Sequence, residues 1–114
     1  MHELTIARAL LAVAARHLPA EEVDVRGLRV AVGGASGVVP AALDLAFRAA
    51  AAGTRFAAAR LTIERVPGRS RCADCATEFE FEGLLGRCPA CGAPGGELLA
   101  GDALELRAIE VADV

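Results

Sequence analysis

Lysine, tyrosine and tryptophan are missing from the 114 residues, and four phenylalanines make up the aromatic share of 4%. All 12 basic residues are therefore arginine, set against 15 acidic ones for a net charge of −3. With no basic excess and no run of one charge, a general role on nucleic acid or on an anionic membrane surface is disfavoured. No apolar run reaches the roughly 20 residues that span a bilayer, because Arg8 and Arg16 interrupt the first one. Nothing at the start reads as a signal peptide either, since Met1 is followed at once by His2, Glu3 and an amphipathic segment. A cytoplasmic setting with reduced thiols is therefore expected. The apolar fraction is 54%, but alanine supplies much of it. The core should be thin-walled, with Phe47 and Phe56 as its largest pieces. This length suits one ordinary domain, or a small core plus a metal-held module.

The four cysteines form Cys72-Ala-Asp-Cys75 and Cys88-Pro-Ala-Cys91, with twelve residues between the pairs. Each Cys-x-x-Cys knuckle turns its two sulfurs to one side, so two knuckles can close a tetrahedron around one Zn²⁺. Pro89 and Gly92 suit the tight turns of the second knuckle. Ala76 holds the matching place in the first, a poorer fit. Two disulfides would need an oxidising compartment, and a thioredoxin-like motif would explain only one of the pairs. Filling all four zinc positions with protein leaves no open site, so this ion holds structure and does not catalyse.

Along the chain, residues 4–18 predict a helix. Leu4, Ile6, Ala7, Leu10, Leu11, Val13, Ala14 and Leu18 fill one half of it, and Pro19 stops it. His17 is expected as a core-edge histidine with one hydrogen bond. Residues 23–32 become strand-like from Leu28. The Gly33-Gly34-Ala35-Ser36-Gly37 loop lacks the spacing of a phosphate cradle, and Ser36 is expected to help the next helix start. That helix covers 39–52, with Pro40 in its first turn and Gly53 as its stop. Its inner face carries Val39, Leu43, Ala46, Phe47 and Ala50, with Leu45 off the stripe. Residues 59–66 and 103–111 alternate as half-buried strands, with Leu61, Ile63, Val66, Leu104, Leu106, Ile109 and Val111 inward. Within the cysteine region, 77–82 alternates as one arm of a zinc-ribbon hairpin. Phe79 and Phe81 face one side; Glu78, Glu80 and Glu82 face the other.

The expected fold is α+β: a three-stranded mixed sheet covered by two helices, with an inserted four-cysteine zinc-ribbon module. The strand–helix–strand in the middle has the length of a right-handed crossover, which makes its strands parallel. Residues 1–67 and 98–114 are expected to form the core, and 68–97 the zinc module.

Met1-His2-Glu3 is the second candidate site. The α-amine of Met1, the backbone nitrogen of His2 and its imidazole can chelate one ion. The next backbone nitrogen or a Glu3 carboxylate oxygen can complete the set. Planar nitrogen ligation suits Ni²⁺ or Cu²⁺ better than Zn²⁺ or Mg²⁺.

Several features together resemble the HypA/HybF family of hydrogenase maturation proteins, the nickel-incorporation metallochaperones. They are Met-His-Glu leading into an amphipathic helix, Ser-Gly-Val-Val-Pro before a second helix, Val-Pro-Gly-Arg before the first knuckle, and the paired Cys-x-x-Cys. The resemblance spans the whole chain. It implies Ni²⁺ bound by Met1, His2 and Glu3, with His2 indispensable, and structural Zn²⁺ bound by Cys72, Cys75, Cys88 and Cys91. It also implies a carrier and not an enzyme. Its implied partners are a HypB-type GTPase and the large subunit of [NiFe]-hydrogenase, with urease served as well in some organisms. Two departures stand out: Ala76 in place of a frequent glycine, and no histidines near the knuckles. The first alternative is a zinc-ribbon module binding nucleic acid or protein through Arg65, Arg69, Arg71 and Arg87, against which the neighbouring glutamates argue. The second is a thiol redox switch.

Overall fold

Alanine and leucine at three- and four-residue spacing, uninterrupted by glycine or proline, produce α1 over His2–Arg16. Glu3 sits in its first turn and Arg16 in its last, each of the sign that the helix dipole favours there. The structure, a computed structural model, describes residues 2–19, 23–82 and 87–112, and nothing of the His2 side chain. Helix α1 buries Ala7, Leu10 and Ala14, while Leu4, at the outer end of the stripe, is left exposed. Strand β1 follows over Val25–Gly33, and its Val25, Leu28, Val30, Ala31 and Val32 are all buried.

Helix α2 covers Pro40–Ala51 and buries Leu43, Phe47 and Ala51, with Pro40 in its first turn. The predicted inner face is corrected at one place. Val39 precedes the first helical turn as the N-cap and is 55% exposed. Leu45, off the stripe, is 70% exposed. The role expected of Ser36 is corrected as well. The α2 N-cap has no side-chain hydrogen bond. Ser36 Oγ instead donates to the Gly33 carbonyl at 2.6 Å and accepts the Val38 N–H at 3.2 Å, closing the glycine turn on itself.

Strands β2 (Arg60–Val66) and β6 (Leu104–Val111) flank β1 in the order β2-β1-β6. The Gly34 N–H bonds the Val66 carbonyl at 2.6 Å, so β1 and β2 finish together and run parallel, as the crossover length predicts. On the other side Gly33 bonds Ala103 at 2.8 Å and Ala112 bonds Asp24 at 2.9 Å, so β6 is antiparallel to β1. The sheet is mixed and the fold α+β, as expected. Strand β6 alternates through Leu104 and Leu106 and then slips. Ala108 and Ile109 are both half-buried, and Val111, expected inward, is exposed.

The cysteine region is larger than the single hairpin arm read from its alternation. Strands β3 (Gly68–Arg71), β4 (Glu78–Phe81) and β5 (Glu97–Ala100) make a second antiparallel sheet in the order β4-β3-β5. Strand β3 escapes an apolar pattern because its buried positions are Gly68 and Ser70. A side chain at Gly68 would run into the Phe81 ring.

The chain divides into two compact units. One comprises Met1–Val30, Val39–Glu64 and Glu105–Val114; the other comprises Ala31–Val38 and Arg65–Leu104. Gly33 and Gly101 of the second unit sit where backbones meet. A Cβ on Gly33 would overlap the Gly101 carbonyl, and one on Gly101, at φ +90°, would overlap that of Pro67. Gly53 is different: its φ is +76° but the space around it is open. Gly33→Ala should therefore cost at least the 1–3 kcal/mol or so of overpacking, and Gly53→Ala about 1 kcal/mol of left-handed strain. Urea unfolding of the two variants checks this, and equal losses would contradict the packing account.

Candidate metal centre

The two knuckles fold by the same hydrogen bonds. In the first, Cys72 N–H donates to the Thr77 carbonyl at 2.9 Å and Ala76 N–H to the Cys72 carbonyl at 3.0 Å. In the second, Cys88 N–H donates to Ala93 at 3.0 Å and Gly92 N–H to Cys88 at 2.8 Å. Both turns need a left-handed residue just after the second cysteine, and it is Ala76 at φ 63° in one and Gly92 at φ 77° in the other. An alanine there is strained by about 1–2 kcal/mol, which the surrounding bonds hold in place.

This repetition brings all four sulfurs together. The Sγ atoms of Cys72, Cys75, Cys88 and Cys91 lie within 4.8 Å of one another, and the cross-knuckle pairs Cys72–Cys91 and Cys75–Cys88 are each 3.5 Å apart. All four cysteines are free. The first cysteine of each knuckle is buried and the second exposed. Phe79 is buried with Cys72 and Cys88, and Phe81 and Ala93 pack against them. Four convergent soft sulfurs fit a tetrahedral ion such as Zn²⁺.

The two exposed thiols differ. Cys75 is lowered to about 6, first by the Thr77 side chain, then by the Thr77 backbone N–H and by Cys88. Cys91 receives a comparable backbone bond from Ala93, which pulls it down, but Cys72, burial, Cys75 and Cys88 together push it up to about 12. Thiols this close share protons, so the site ionises as a set. An ion bound there displaces protons, and its affinity rises with pH.

The arginines read as a phosphate-binding alternative are engaged within the second unit. Arg65 pairs with Glu82 at 2.9 Å, Arg69 with Glu78 at 3.1 Å, and Arg71 with both Glu78 at 3.4 Å and Glu97 at 3.0 Å. Arg87 reaches the Gly92 carbonyl at 3.3 Å. A phosphate would have to displace these partners.

Of the N-terminal trio, Met1 and the His2 imidazole lie outside the described residues. The His2 backbone opens α1. The Glu3 carboxyl is held below its ordinary range, first by the charged chain terminus and then by the backbone N–H of Glu3 itself, with a smaller contribution from that of Val39. His17 is exposed, not at the edge of the core, and lines a groove with Val13 and residues 105–109. Thr77 is the site residue that sequence reasoning missed as such. Its signal was its place two residues after the second cysteine of a knuckle.

Paired helices, a mixed sheet and a four-sulfur cluster define a small α+β protein with a candidate metal centre. The family model described as HypA, hydrogenase/urease nickel incorporation, metallochaperone, matches residues 1–111. The hydrogenase maturation factor HypA of Geobacter sulfurreducens is 40% identical over 111 residues, covering 97% of this chain and 99% of that one. Its namesake from Deinococcus radiodurans is 50% identical over 109 residues, 93% of this chain and 89% of the other. The solution structure of the Ni metallochaperone HypA from Helicobacter pylori superposes with a TM-score of 0.64 over 97% of each chain, at 22% identity, a likeness of fold. This chain belongs to the HypA family of metallochaperones.

The Arg–Glu pairs give the second sheet a pH signature. Hydrogen bonds from Arg69 and then Arg71 hold the Glu78 carboxyl below its usual value. A lowered carboxyl stabilises the fold above the unfolded pKa, about 4.3, and that gain is lost as pH falls through the folded value. Wild type should therefore exceed Glu78→Gln in unfolding free energy at pH 7, and the gap should close toward pH 3. A pH-independent gap would contradict the pairing.

Proposed function

We propose that this chain is a nickel carrier that takes up Ni²⁺ at Met1, His2 and Glu3 and delivers it for maturation of [NiFe]-hydrogenase, with urease as a further acceptor. The single observation that carries the reading is the match to the nickel-incorporation family across residues 1–111, which begins at the Met-His-Glu chelate itself. On this reading the Met1 amine, the His2 amide and imidazole, and a Glu3 backbone nitrogen or carboxylate oxygen hold the ion. Ligands at a chain end can be displaced one at a time, which suits transfer to an acceptor. The chemistry also narrows the metal, since planar nitrogen donors favour Ni²⁺ and Cu²⁺ over Zn²⁺ and Mg²⁺.

The four cysteines hold Zn²⁺ on the same reading. The buried Cys72 and Cys88 and the exposed Cys75 and Cys91 would together hold it. Its role is structural, with all four ligands supplied by the chain. Residues 68–97 then serve as the ion-held module, and 1–67 with 98–114 as the part that presents nickel. The partners are a HypB-type GTPase and the hydrogenase large subunit, met in the cytoplasm.

Calorimetric titration of Ni²⁺ into untagged wild type and His2→Ala tests the cargo site. Wild type should bind one ion, with affinity rising as pH passes the imidazole and amine values of about 6.5 and 7.7–8.0. His2→Ala, or a blocked α-amine, should lose it. Equal stoichiometry and affinity in both proteins would contradict the assignment.

A further inference from the structure

The two knuckles repeat each other in backbone and burial but not in side chains. Both close with the same pair of backbone hydrogen bonds. Both bury the first cysteine and expose the second. The residue two places after the second cysteine is half-buried in each, and it is Thr77 in one and Ala93 in the other. Thr77 Oγ1 stands 3.2 Å from Cys75 Sγ. Alanine offers Cys91 no such group.

From this asymmetry we propose that Thr77 is a positioning residue of the four-sulfur centre: its hydroxyl donates to the Cys75 thiolate and leaves Cys91 the more reactive of the two exposed ligands. The inference rests on the zinc reading given above. A thiol S–H would donate to the Thr77 oxygen. Once an ion holds Cys75 as thiolate, the sulfur carries no proton and the hydroxyl becomes the donor. A hydrogen bond to a ligating sulfur draws off part of its electron density, lowers its nucleophilicity and fixes its direction, the usual work of groups just outside a metal's ligands. Cys91, with a backbone N–H as its counterpart and nothing more from residue 93, keeps a more basic sulfur. Attack by an electrophile, or exchange of the ion, then begins at Cys91.

The test uses the full chain loaded with zinc, and separately with cobalt as a spectroscopic substitute. Limiting iodoacetamide, read by peptide mass spectrometry, should alkylate Cys91 before Cys75 in wild type. Thr77→Val should remove that preference and move the sulfur-to-cobalt charge-transfer band to lower energy. It should also weaken zinc binding on the order of tenfold. Thr77→Ser, which keeps the hydroxyl, should restore the order and the band, whereas a role for the threonine methyl alone would leave serine resembling valine. Ala93→Thr should slow the reaction at Cys91. Alkylation of Cys75 first in wild type, or an unchanged order and band in Thr77→Val, would overturn the proposal. A cobalt spectrum without tetrahedral four-thiolate character in wild type would overturn the zinc reading itself, and the two failures are thus separable.

Discussion

The constraint on which the second unit depends is the convergence of four sulfurs on one point. Cys72 and Cys91 are far apart in the chain, yet all four Sγ atoms lie within 4.8 Å of one another. Thiolates at that separation repel unless a cation or shared protons lie among them. Among the described residues, Cys72, Phe79 and Cys88 are buried there, with Phe81 and Ala93 packed against them. An ion held by these sulfurs would add folding free energy to the unit, because the unfolded chain offers no preformed site. The strained Ala76 is held by the hydrogen bonds of its own knuckle. The turn it completes is what aims Cys75 at the other three sulfurs.

Around that point the second sheet relies on polar and steric fitting. Its exposed arginines and glutamates pair along β3, β4 and β5, individually weak contacts for groups in water. The bare Gly68 of β3 leaves room for the Phe81 ring, and Gly101, just after β5, lets its backbone approach that of Pro67. The first unit is built differently. Leu10, Leu28, Leu43, Phe47 and Phe56 bury ordinary apolar surface there, which holds a fold without help from metal. The proposed division of labour follows these energetics. A closed sulfur cage suits permanent retention, and a chain terminus beside a helix start suits an ion that has to leave.

Much of this was legible in the residues, and the failures have physical causes. Helix α2 declared itself through Pro40, Gly53 and the spacing of Leu43 and Phe47, and β2 through the alternation of Leu61 and Ile63. The knuckles were readable because metal ligation demands a fixed spacing. Strand β3 was not, because it buries glycine and serine and displays arginine, the reverse of the pattern by which strands are recognised. Ser36 was misassigned because a serine just before a helix usually caps it, whereas here its hydroxyl found the Gly33 carbonyl first. Thr77 was hidden in plain alternation as the first residue of a strand-like run. Only the folded knuckle sets its hydroxyl against a sulfur.

The central claim is that one chain keeps two ions apart by ligand chemistry, sulfur for the structural one and nitrogen and oxygen for the cargo. X-ray absorption at both metal edges, on protein loaded with one zinc and one nickel, tests it most directly. The account predicts zinc with four sulfur neighbours and nickel with nitrogen and oxygen neighbours alone. Sulfur in the nickel shell, or zinc bound by fewer than four sulfurs, would contradict it.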